Sequence, residues 1–178
     1  ADTIIHEIMH NTVWRPNDTE FNETLATFVG QQGAIEFFNS QYDPALGLGE
    51  YAALRFEDEA TINVFLIEIY DTLNYYYNSP GDPTSKVAGR DAAFERLRRR
   101  FADEIQPTLN FPENNDYYAT FPTNNAWVLA LSRYNYDLDL MRRVYNRSNK
   151  QWPAALDVFR AAAAADRPFD YLREWLGD

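Results

Sequence analysis

The sequence predicts an almost wholly helical protein. Apolar residues recur at spacings of three and four along most of the chain, strand-like alternation is scarce, and clusters of proline, glycine and asparagine cut the chain into segments of helical length. With 178 residues, 46% of them hydrophobic and 16% aromatic, the chain can bury a core large enough to offset the entropy of folding. It fits one helical domain over 1–178, or one lobe of a larger protein.

The elements follow in order. Residues 3–11 read as a helix with Ile4, Ile5, Ile8 and Met9 on its buried side, and Trp14-Arg15-Pro16-Asn17-Asp18 interrupts the period, Pro16 forbidding simple continuation. A second helix, 19–41, is capped by Asp18 or Thr19 and buries Phe21, Leu25, Phe28, Ile35 and Phe38. Gly30 and Gly33 lower its propensity, which points to a neighbouring helix in close approach. After the turn 43–49, residues 50–77 form a long bundle helix, closed by Asn78-Ser79-Pro80-Gly81-Asp82-Pro83. Residues 85–105 return as an amphipathic helix. The proline- and asparagine-rich stretch 107–122 reads as a loop of about sixteen residues, long enough to suggest a functional role. Residues 124–134, 137–147, 152–165 and 169–176 complete the helices, with Pro153 in a first turn. The chain thus divides into a helix pair, 1–42, and a helical bundle, 43–178.

Composition excludes several classes. A net charge of −11 repels a phosphate backbone and argues against nucleic acid, while neutral or cationic peptides carry no such penalty. The basic run Arg96-Leu97-Arg98-Arg99-Arg100 spreads its arginines around a helix and reads as a solvated face. No apolar run is long enough to span a membrane. Cysteine is absent, so disulfides and thiolate ligands are excluded.

The chemistry concentrates in the first helix. The chain has two histidines, and both stand in His6-Glu7-Ile8-Met9-His10. At i and i+4 their rings project from one helical face, close enough to share an ion. Glu7 lies beside that ion's open position, where a carboxylate can take a proton from water. This is the H-E-x-x-H pattern of zinc peptidases. A tetrahedral catalytic Zn²⁺ needs a third protein ligand, and Glu23, in the second turn of the second helix, is the choice, with Asn22 beside it near the site. Glu20 competes, but in the first turn it is also explained by the helix dipole.

With no third histidine, an oxyanion donor must come from tyrosine, arginine, asparagine or backbone. The candidates cluster in Asn124-Asn125-Ala126-Trp127 and Arg133-Tyr134-Asn135-Tyr136. Helix capping explains Asn124 and Asn125 equally well. Tyr117 and Tyr118 rank below them.

The segment from Ile5 to Phe38 resembles a bacterial family of putative aminopeptidases, which read His-Glu-(apolar)-x-His and then a stretch similar to Asp18 to Val29. Asn124-Asn125-Ala126 matches a recurrent Asn-Asn-Ala of that family. The arrangement is similar to that of the gluzincin zinc peptidases, in which a second helix supplies a glutamate ligand. The resemblance implies Zn²⁺ on His6, His10 and Glu23, Glu7 as general base, a peptide substrate held with the help of Asn124 and Asn125, and Tyr134 as the favoured oxyanion donor. It also implies an envelope location in bacteria. In many gluzincins an Asp one turn past the glutamate ligand receives a liganding imidazole's other N–H; here that position is Thr27, a weaker acceptor. Gluzincins also place a β-sheet ahead of the metal helix, and no strand-like segment precedes His6. The chain therefore reads as the C-terminal helical part of a longer protein, with an N-terminal lobe missing. The rival function is a non-catalytic helical module, zinc-stabilised or metal-free, lacking a substrate cleft.

Overall fold

A computed structural model of the chain describes residues 1–120 and 137–178, and the fold is mainly α, with no strand among the described residues. The helices are α1 (Asp2–Thr12), α2 (Thr19–Gln41), α3 (Leu48–Asn78), α4 (Pro83–Arg100), α5 (Leu138–Arg147), α6 (Trp152–Ala164) and α7 (Pro168–Leu176). The expected helix 124–134 lies outside the described residues. Two compact units are formed, one by 1–53 with the C-terminal segment from Asp137 on, the other by the segment that begins at Leu54.

The first unit carries the histidines. α1 and α2 form an antiparallel hairpin: Asp2 and His6 face Gly30, and Ile5 faces Gly33. A Cβ added at Gly30 would lie 2.9 Å from the Asp2 carbonyl oxygen and 3.2 Å from His6 Cβ. Glycine in a helix interior costs about 1 kcal/mol relative to alanine, and here it permits the two backbones to approach. α2 starts where Asp18 caps it, accepting the Phe21 N–H at 3.0 Å.

On its other sides α2 meets the C-terminal helices. Phe21, Leu25, Ala26, Phe28 and Val29 pack with Met9 of α1 and Val13 just after it, Leu140, Met141, Val144 and Tyr145 of α5, Ala155, Phe159 and Ala162 of α6, and Leu172 of α7. α2 is thus buried on more than one side through its first three turns. α1 is not. Met9 is buried and Ile5 half-buried, but Ile4 and Ile8, expected inside, are 67% and 58% exposed. The hairpin geometry explains the difference, because only the side of α1 that faces α2 is covered among the described residues.

The second unit has its own core of Ile62, Phe65, Leu66, Ile69, Leu73, Phe94, Leu97, Phe101 and Leu109. α4 begins at the Asp82 cap, with Pro83 in its first turn, and ends at Arg100, where a π-helical turn (Phe101–Ile105) continues it. The expected loop 107–122 is, as far as residue 120, a series of short helical turns at Gln106–Thr108, Pro112–Asn115 and Tyr117–Thr120. Buried Asp58 fixes this stretch, accepting the backbone N–H groups of Asn110 at 2.7 Å and Phe111 at 2.9 Å. Its carboxylate does for an irregular segment what a helical ladder does for a regular one.

Candidate metal centre

His6 and His10 sit one turn apart on α1, and the bend after Thr12 returns the chain so that Glu23 of α2 meets both rings. His6 Nε2 lies 3.1 Å from His10 Nε2. Glu23 Oε2 is 3.3 Å from His6 Nε2, and Glu23 Oε1 is 3.6 Å from His10 Nε2. Taking one ligand atom from each side chain, all three lie within 4.8 Å of one another, and among the described residues they could hold a metal ion.

The spacing tests the fit. Tetrahedral ligands placed about 2.0–2.1 Å from an ion stand about 3.3–3.4 Å apart, and the three measured contacts bracket that edge. The two carboxylate contacts use different oxygens, and the terminal torsion of the carboxylate is broad and soft. The three side chains are 18–19% exposed, an enclosure that strengthens electrostatics between them. Two imidazole nitrogens and a carboxylate make a mixed nitrogen and oxygen donor set, of a kind that transition-metal ions accept and that differs from the all-oxygen sites favoured by calcium and magnesium.

Glu7 follows His6 on α1. It is exposed, and no ion pair or hydrogen bond holds its side chain among the described residues. Glu20 is exposed on the first turn of α2 and is not one of the three converging groups; burial, then the charge of Asp18, pushes its carboxyl above the usual range.

The two neighbours expected to support the ligands have other surroundings. Asn22 is buried, and its amide is given to the loop: it donates to the Arg15 carbonyl at 2.7 Å and accepts the Arg15 N–H at 2.9 Å. Thr27 is half-buried, and no hydrogen bond joins it to either imidazole among the described residues. His10 Nδ1 is buried and has no hydrogen-bond partner among the described residues. Asn124, Asn125, Tyr134 and the other candidates of 124–136 lie outside the described residues. Tyr118 belongs to the second unit, packed on Phe101 with ring centroids 5.5 Å apart.

Arg15 carries no sequence signal for its role. Its guanidinium pairs with Asp18 at 3.0 Å and donates to the carbonyls of Ala163, Ala165 and Asp166 at the end of α6. It thereby fastens the α1–α2 loop to a segment distant in sequence and satisfies carbonyls that a helix end leaves bare. Trp14 was equally unmarked. It sets its ring edge-on to His10, with centroids 5.6 Å apart, while staying 57% exposed.

The sequence model of one family, described as "Putative aminopeptidase", matches residues 1–168. The chain belongs to this aminopeptidase family. The match takes in both histidines, Glu7, Glu23 and the whole of the second unit, so the family resemblance read from the first forty residues extends over nearly the full length. Neither a curated protein nor a solved structure matches the chain.

Proposed function

We propose that this chain carries the catalytic centre of a zinc-dependent peptidase of the gluzincin type, acting on peptide N-termini. The observation that carries the reading is the convergence of His6, His10 and Glu23 at contacts of 3.1–3.6 Å, with the exposed Glu7 next to His6 in the chain. The family's description supports the aminopeptidase direction.

In this reading His6 and His10 hold the zinc from one helix and Glu23 closes the set from the next. When bound, the ion supplies Lewis acidity, which lowers the pKa of water and polarises the scissile carbonyl. Glu7 accepts a proton from the attacking water as the new C–O bond forms at the carbonyl carbon. It then delivers that proton to the peptide nitrogen as the C–N bond breaks, releasing a carboxylate and an amine. The exposure of Glu7 suits a group that must exchange protons with substrate and solvent. Tyr134, Asn124 and Asn125 are proposed to hold substrate and the oxyanion.

The test compares the full chain and its Glu7→Gln variant on unblocked and N-acetylated peptides, with zinc content measured in parallel. The expected result is turnover of unblocked peptides only, its loss in Glu7→Gln by several orders of magnitude, and undiminished zinc. Turnover retained in Glu7→Gln would overturn the mechanism. Zinc bound without turnover on any peptide would favour a structural ion in a non-catalytic module.

A further inference from the structure

We propose that Gly30 is a positioning residue for the metal centre: its missing side chain sets the approach of α1 to α2 at the turn that carries His6, and so sets the His6–Glu23 distance. The inference rests on the reading of His6, His10 and Glu23 as metal ligands.

Gly30 and Gly33 both lie under α1, but they face different things. A Cβ at Gly33 would meet only the Cδ1 and Cγ2 atoms of Ile5, at 3.2 Å, which are side-chain atoms rather than backbone, so the α1 backbone is not itself pushed. A Cβ at Gly30 would meet the Asp2 carbonyl oxygen at 2.9 Å, His6 Cβ at 3.2 Å and the His6 amide nitrogen at 3.5 Å. None of these can rotate away. In an α-helix the Asp2 carbonyl accepts the His6 N–H, so both contacts push on the same turn of α1. The turn must retreat as a body.

Glu23 stands seven residues before Gly30, two turns along nearly the same face of α2. The face that would push His6 outward is thus the face that presents Glu23 to it. Metal–ligand distances are expected within about 0.2 Å of their ideal values, and a methyl group in the space over Gly30 demands a displacement on that scale. The packing of the hairpin survives such a shift more easily than the ligand geometry does, because apolar contacts fall off gradually.

The test measures Co²⁺ and Zn²⁺ binding to the full chain, to Gly30→Ala and to Gly33→Ala, with helical circular dichroism and melting temperature as controls. The visible absorption of Co²⁺ reports coordination geometry independently of activity. The expected result is a folded Gly30→Ala with metal affinity about tenfold or more below wild type, in the range seen when groups that orient ligands are altered, and an altered Co²⁺ spectrum. Gly33→Ala should lose melting temperature and keep the wild-type affinity and spectrum. Wild-type binding in Gly30→Ala, equal losses in both variants, or failure of Gly30→Ala to fold would each overturn the positioning role. A wild-type chain that takes up no Co²⁺ would instead overturn the metal reading on which that role depends.

Discussion

Asn22 stands next to a proposed ligand, yet its amide serves the backbone. The residue closes the α1–α2 bend by pairing with both polar groups of Arg15, and the bend delivers Glu23 to the imidazoles. Asn22→Ala would leave the part-buried N–H and C=O of Arg15 without this partner, a loss of about 2–3 kcal/mol, or roughly 4–12 °C in melting temperature for a chain of this size. Differential scanning calorimetry of the variant reads it directly; an unchanged transition would show that water replaces the amide. The distinction between Asn22 and Glu23 was not legible in the sequence, since neighbouring polar residues on one helical turn carry no mark of which faces a loop. The approach of His6 to His10 was legible because their relation is local and set by helical geometry alone. Arg15 was not, because its partners are backbone carbonyls about 150 residues away and carbonyls have no sequence signature.

At the scale of elements, periodicity located the helices well and their exposed faces less well. α1 shows why: Ile4 and Ile8 fall on an apolar stripe, but a stripe states only that burial is favourable, not that a partner covers it. α2 is held to α5 and α6 by a cluster that periodicity does not reveal. Glu36 accepts hydrogen bonds from Tyr145 Oη at 2.6 Å and Trp152 Nε1 at 2.7 Å, and the two rings lie 4.4 Å apart. Burial first, then the hydrogen bond to Glu36, raises the Tyr145 phenol above its ordinary value. The folded chain therefore keeps this proton where the unfolded chain, with an ordinary phenol near pH 10, releases it. The stabilisation is complete below that pH and is lost as pH rises beyond it. Melting temperature should fall steeply above about pH 10, and the fall should be shallower in Tyr145→Phe, which will be less stable than wild type at neutral pH. Parallel curves for the two proteins would show that Tyr145 does not govern this slope.

For the molecule as a whole, each unit has a separate apolar core, and the three converging side chains belong to the first. A ligand that binds only the native state stabilises it by about 2.7 kcal/mol at a hundredfold excess over its dissociation constant. Hydrogen exchange with and without zinc should therefore show added protection in α1 and α2, and none in α4 beyond that of whole-chain unfolding. Equal gains throughout would indicate that the two units open together. A mainly helical fold was predictable because helices declare themselves over a few turns; the division into two units was not, because it depends on which distant segments share a core.

Zinc titration of the full chain by calorimetry tests the central assignment most directly. One equivalent should bind to the wild-type chain, and Glu23→Ala should lose most of that affinity while retaining its helical content. No zinc uptake by the wild type, or binding indifferent to Glu23→Ala, would contradict a metal held jointly by His6, His10 and Glu23.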